Sequence, residues 1–207
     1  MGFLDRLLGR DRDAHQRWIV VDVETSGMDI ASDALISIGA VAMHDDGHVL
    51  PGDSIEIVIR QDKASSRENI LVHGLGVEAQ MNGVDPRRAI GMFTEYVSTA
   101  PILAFHAPFD RGFLARVIKF YVNQPFDNPW LDLAELAPAL YPALQMKSLD
   151  EWLSRFGIPV AARHSAAADA FATALLASRL LPEARRQGAP TLGKMMKIAR
   201  NARWLRG

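Results

Sequence analysis

Seven residues near the start of the chain, Trp18-Ile19-Val20-Val21-Asp22-Val23-Glu24, are apolar and mostly β-branched until they end on two acids. A run this apolar at odd and even positions alike belongs to a central strand covered on both faces. Because side chains alternate across a strand, Asp22 and Glu24 emerge from one face at its carboxyl end. Burying unpaired like charges costs several kcal/mol, so such a strand has two outcomes. Either it runs out into solvent at Asp22, or it delivers two carboxylates to a place where cations offset their repulsion.

The remaining patterning supplies partners for that strand. Leu35 to His44 reads as a second strand, Asp45-Asp46-Gly47 as a hairpin turn, and Ser54 to Arg60 as a third strand with Ile55, Ile57 and Ile59 alternating. Pro101 to Phe105 and Trp130 to Leu133 are short apolar strands. Pro86 opens a helix carrying Ile90, Phe93, Tyr96 and Val97, and Phe109 to Tyr121 repeats the helical period. Ser148 with Glu151 opens a helix over Leu149 to Phe156 that Gly157 closes, and Ser165 to Leu181 is an Ala-rich helix ending at Pro182. This order predicts an α/β domain over residues 17–182: a mixed five-stranded sheet, antiparallel meander first and parallel strands after, flanked by helices. Residues 1–16 read as a loosely attached leader and residues 183–207 as a basic, helical tail.

Composition narrows the chemistry. The 207 residues include no cysteine, which excludes disulfides and thiolate chemistry. Any zinc site would draw on the six histidines and carboxylates, and a hard-cation site on oxygen ligands. Apolar residues at 49% and charged residues at 23% exclude a disordered or collagenous chain. With neither a membrane-spanning run nor an apolar signal-peptide core, a cytoplasmic location is expected. The net charge of -1 hides an asymmetry. From Pro182 onward seven basic residues face Glu183 alone, +6, while the rest carries 16 basic and 23 acidic residues, -7. The acidic body repels a polyanion unless cations invert its field, whereas the tail attracts one. In that tail Leu192, Met195, Met196, Ala199 and Ala202 form one helical stripe. The helix can grip nucleic acid, dock a partner, or pack on the body with its charges in water.

Two further segments carry acids at element boundaries. His106-Ala107-Pro108-Phe109-Asp110 follows the fourth strand, and Asp110 suits either a site or a plain helix start. His164-Ser165-Ala166-Ala167-Ala168-Asp169 opens the Ala-rich helix, its small residues allowing close approach to the sheet, and His164 equally suits a structural place. All three acidic segments lie at carboxyl ends of core elements, where sites form in α/β sheets.

The residues Asp22-Val23-Glu24-Thr25-Ser26-Gly27, His106 to Asp110, and His164 to Asp169 resemble the three motifs of the DEDDh 3′–5′ exonuclease family. That family contains the epsilon subunit of bacterial DNA polymerase III and ribonuclease T. The resemblance runs from Trp18 to Leu181 and includes Val72-His73-Gly74-Leu75, similar to the family's Ile-His-Gly-Ile segment. One departure stands out: Phe105-His106 replaces the usual His-Asn pair of the second motif. The resemblance implies a ribonuclease H-like fold and release of nucleoside monophosphates from single-stranded DNA or RNA 3′ ends. It implies two Mg²⁺ or Mn²⁺ ions held by Asp22, Glu24, Asp110 and Asp169, with Asp22 bridging them and Asp110 acting largely through water. His164 would be the general base, its reference pKa of about 6.5 suiting proton transfer near neutrality. Substrate contacts would come from Thr25, Ser26, Gly27, Met28, His73, His106 and Phe109. Ordinary structural roles compete for several of these: a turn with Gly27 at positive φ, and His73 within the Gly74 turn. A polymerase subunit or other protein is an expected partner for the basic tail. A catalytically weak nucleic-acid-binding or polymerase-associated protein of the same fold is the rival reading.

Overall fold

A computed structural model describes residues 16–159 and 165–204. The expectations for the leader before Gln16, for His164 and for the last three tail residues lie outside the described residues. Five strands, β1 (Arg17–Thr25), β2 (Leu35–His44), β3 (Val49–Val58), β4 (Ile102–Ala104) and β5 (Trp130–Asp132), form one sheet in the order β3-β2-β1-β4-β5. β1, β2 and β3 are an antiparallel meander, and β4 and β5 continue parallel to β1, as the sequence predicts. Eight helices are described: α1 (Arg67–His73), α2 (Val77–Met81), α3 (Pro86–Val97), α4 (Ala107–Tyr121), α5 (Leu133–Leu140), α6 (Leu149–Arg155), α7 (Ala166–Arg186) and α8 (Leu192–Trp204). None is long and apolar enough to cross a membrane.

Alternation along β1 divides the core. Ile19, Val21 and Val23 join Phe93 of α3 and Phe113 of α4 on one face, while Trp18 and Val20 join Trp152 of α6 and Leu176 and Leu180 of α7 on the other. Asp22 and Glu24 continue the second series, so β1 carries them toward the face that α7 covers. At the far end Arg17 pairs with Asp53 through two hydrogen bonds of 2.7 and 2.9 Å and lies 4.6 Å over the Tyr96 ring, fixing the start of β1 against β3 and α3.

The structure departs from the patterning in four places. β3 runs over Val49–Val58 rather than Ser54 to Arg60, because an irregularity absorbs Pro51-Gly52-Asp53: Val41 pairs with Ser54 while Ala42 pairs with Leu50. Proline is tolerated there because β3 is an edge strand. α1, α2 and α5 were not legible; α1 and α2 have only seven and five residues, too short for a periodic signal, and α5 contains Pro138. α4 begins at Ala107, ahead of Phe109, with Pro108 in its first turn. Finally, α7 continues through Pro182 to Arg186, so the expected boundary at residue 182 falls inside a helix.

That continuation has a packing cause. Leu180, Leu181 and Ala184 flank the proline and are buried in the α7-side core, outweighing one lost backbone hydrogen bond. The Ser178 carbonyl one turn back lies over the β2–β3 hairpin, where Gly47 (φ 103°) leaves room; a Cβ there would come within 3.2 Å of it. Arg185 then pairs with Asp45 at 2.8 Å. α8 packs with Met195 and Ala199 buried and Leu192, Met196 and Ile198 half-buried against the same core, while Lys194, Lys197 and Arg200 stay exposed. Part of the basic tail is therefore core. Met195→Ala is expected to lower stability by about 2–5 kcal/mol, the usual cost of truncating a fully buried side chain, as read by urea unfolding.

Candidate metal centre

The centre is built by one close approach. Asp22 pairs across the sheet with Gly39, and the missing side chain of Gly39 is the seat on which α7 begins. A Cβ at Gly39 would overlap the backbone of Ala166 and Ala167. Ser165 caps the helix, its Oγ accepting from the Ala168 N–H at 3.3 Å, and Asp169 follows in the first turn, 8% exposed. Asp22, Glu24 and Asp169 thereby each offer a carboxylate oxygen within 4.8 Å of one another. Three carboxylates at that spacing, without thiolate or imidazole among the described donors, fit a hard divalent cation.

Asp110 is not among these three, although the Glu24 charge acts on it. It lies in the first turn of α4, 4% exposed, where the helix dipole favours a negative charge. Burial nevertheless pushes its carboxyl well above the ordinary range, and the Asp132 and Glu24 charges push the same way, against hydrogen bonds from the backbone N–H groups of Asp110 and Val23. Asp132 is a carboxylate that the sequence reading passed over. It ends β5, caps α5 through the Ala134 N–H at 2.9 Å, and accepts the His106 N–H at 3.0 Å; burial raises its pKa as well. An acid closing the short apolar run Trp130-Leu131 was its only signal, the same signal as Asp22 in a much shorter strand.

The departure in the second motif takes a definite shape. His106 sits in the left-handed region at φ 65° with its N–H on Asp132 and its ring exposed, 4.8 Å edge-on from Phe105. Phe105 packs against the α7-side core, and Phe109 is half-buried against the other.

The loop after Glu24 is braced from three sides. Thr25 Oγ1 donates to the Gly27 carbonyl at 2.7 Å, and Ser26 Oγ bonds Asp33 and the Ala34 N–H, so both hydroxyls serve the loop itself. Gly27 is not at positive φ, which removes the alternative of a positive-φ turn; it is small because the Asp33 carboxylate packs where a Cβ would stand. Arg116 of α4 donates to the Ala31 carbonyl at 2.8 Å and to that of Asp33. Met28 is left 80% exposed at the tip. His73 is 2% exposed and both ring nitrogens face protein groups: Nδ1 accepts from the Leu75 N–H at 3.0 Å, and Nε2 lies 2.8 Å from Asn69 Oδ1. Asn69 in turn donates to the Thr25 carbonyl at 2.8 Å. Burial lowers the His73 pKa.

Residues 19–177 match the family model of RNase T, described as an exonuclease. A Rhodobacter capsulatus protein named DNA polymerase III subunit epsilon-like protein is 30% identical over 91% of this chain and 27% of its own length. A PolC-type DNA polymerase III of Latilactobacillus sakei is 31% identical over 81% of this chain and 11% of its own. The chain thus spans about a quarter or less of these relatives. A crystal structure of E. coli exonuclease I with a dT13 oligonucleotide superimposes with a TM-score of 0.74 at 19% identity, covering 88% of this chain and 46% of that one. A zinc-bound form of the same enzyme with single-stranded DNA gives 0.71 at 21% identity over 84% and 42%. At these identities the likeness shows the fold, which is ribonuclease H-like.

Two outcomes follow from the geometry. Gly39→Ala should displace the start of α7 and weaken divalent-cation affinity about 10- to 100-fold, read by isothermal titration. Asp110 has a folded pKa above its unfolded value of about 3.9, so its contribution to stability is full below that pH and is lost as pH rises through the folded value. Asp110→Asn should therefore stabilise the protein in EDTA at pH 7 by on the order of 1 kcal/mol, with the gain closing below about pH 4, as read by thermal melting.

Proposed function

The chain belongs to the RNase T exonuclease family, and on that premise we propose that it is a metal-dependent 3′–5′ exonuclease releasing nucleoside monophosphates from single-stranded DNA or RNA. The observation that carries this reading is the convergence of Asp22, Glu24 and Asp169 within 4.8 Å, with buried Asp110 within reach of the Glu24 charge. Asp22, Glu24 and Asp169 would hold two Mg²⁺ or Mn²⁺ ions, with Asp110 reaching them through water. When bound, two such ions offset the clustered negative charge and stabilise the attacking and leaving oxygens of an in-line displacement at phosphorus.

The other roles belong to the chain's own groups. His164 accepts the proton of the attacking water as general base. The backbone of residues 25–27 holds the terminal nucleotide, and exposed Met28 supplies an adaptable apolar surface beneath its base. His73, enclosed by Asn69 and Leu75, acts as a positioning residue through Asn69 on the Thr25 carbonyl. His106 and Phe109 lie at the start of α4 beside Asp110, within the region the penultimate nucleotide would cross. The polymerase names of the relatives support a proofreading or repair setting beside a polymerase.

The experiment is digestion of matched 5′-labelled DNA and RNA oligonucleotides with Mg²⁺, Mn²⁺ or EDTA. Stepwise shortening from the 3′ end, only with metal, is expected, and the matched pair identifies the preferred sugar. His164→Ala should keep metal affinity and lose most hydrolysis; unchanged turnover refutes the base. Binding without release of mononucleotides would instead make the protein a nucleic-acid-binding relative of the enzyme.

A further inference from the structure

A cavity of about 950 Å³ opens between the start of α4, the outer edge of β5 and α8, with Asp132 in its wall. Its volume lies in the range of true ligand sites. Two arginines face it from opposite walls, Arg111 of α4 and Arg200 of α8. Both are exposed, and neither has an ion-pair or hydrogen-bond partner among the described residues. By contrast, Arg116 is committed to the backbone carbonyls of Ala31 and Asp33, Arg185 to Asp45 and Arg186 to Glu183. Between the arginines the walls are apolar, with Pro108, Ala115 and Met196 prominent. Asp132 and Glu135 also line the cavity, but Asp132 is turned onto the amides of His106 and Ala134 and Glu135 makes an interaction of its own.

We propose that this cavity is a second subsite for the single strand, in which Arg111 and Arg200 hold backbone phosphates upstream of the scissile bond while the apolar walls receive base faces. Apolar surface with unpaired cations at its borders is the chemistry of a stacked, anionic strand. Position agrees: Ala107 and Pro108, from the turn of α4 that also carries Asp110, line the cavity together with Asp132, whose charge acts on Asp110. Lys194 and Lys197 on the same exposed side of α8 extend the positive surface outward. The charge asymmetry of the chain fits the subsite, because the basic helix is folded onto the body and its charges offset part of the body's acidic excess. The inference rests on the exonuclease reading and names where its substrate lies.

The test uses the full chain, a labelled dT oligonucleotide blocked by a 3′-terminal phosphorothioate, and a salt series read by fluorescence anisotropy with Mg²⁺. The double variant Arg111→Gln/Arg200→Gln should lower the slope of log affinity against log salt by about 1.4, two phosphate contacts at about 0.7 each on a single strand. Hydrolysis of the p-nitrophenyl ester of thymidine 5′-monophosphate, too short to reach the cavity, should stay at the wild-type rate. Arg111→Lys/Arg200→Lys, which keeps both charges, should keep the slope. An unchanged slope in the glutamine variant overturns the subsite, as does equal loss of ester hydrolysis, which would mean that the centre itself had collapsed. Loss of affinity for an acidic protein with the oligonucleotide slope intact likewise overturns it in favour of a protein-docking surface. If the wild type binds the oligonucleotide but hydrolyses neither substrate, the exonuclease reading falls alone, and the slope comparison still decides the cavity.

Discussion

The structure depends on one backbone-to-backbone approach, the seating of the first turn of α7 on Gly39 of β2. Everything chemical follows from it, because Asp169 lies in that turn and Asp22 lies directly across the sheet from the glycine. A helix resting on ordinary side chains would stand farther from the sheet and hold Asp169 away from Asp22 and Glu24. Two packed cores fix the approach: the aliphatic stripe of α7 covers one face of β1 and the apolar sides of α3 and α4 cover the other. The carboxylates are gathered against their mutual repulsion, and the hydrophobic burial behind them supplies the free energy that holds them there.

Rigid and adaptable parts are sharply separated around this centre. The acids sit on β1 and on the first turns of α4 and α7, elements buried on at least one side. The loop that follows Glu24 lies outside regular structure, yet Arg116, Asp33, Gly27 and Asn69 fix its backbone while leaving Met28 free at the tip. That combination suits a surface that must accept any base but hold one phosphate geometry. Asp132 has a comparable bracing part, tying the residue before α4 to the end of β5, so two strand ends and two helix starts are cross-linked at one end of the sheet.

Much of the architecture was legible in the sequence because its signals are local. The unbroken apolar character of β1, the Asp46-Gly47 turn, the Ser148–Glu151 capping box and the 3.6-residue stripes of α4 and α8 each arise from interactions within a few residues. What escaped was either too short to carry a period, as in α1 and α2, or decided by distant packing. Pro182 is a helix stop by local chemistry, and only the burial of Leu180, Leu181 and Ala184 overrules it. Gly27 looks like a positive-φ turn residue, whereas a carboxylate six residues away is what requires its size.

The sequence by itself determined the kinds of group available: oxygen ligands without thiols, acids at the ends of core elements, and a basic helix at the far end of an acidic chain. It also determined the order of the strands and of the longer helices, since hydrophobic period and capping act along the chain. Only the tertiary structure decided which acids meet, that Asp132 comes near enough for its charge to act on Asp110, and that the basic helix closes a cavity against α4 and β5. Those outcomes depend on distances between segments far apart in sequence, and such distances are fixed by side-chain volume at points like Gly39, where the absence of a single Cβ determines how near two elements can lie.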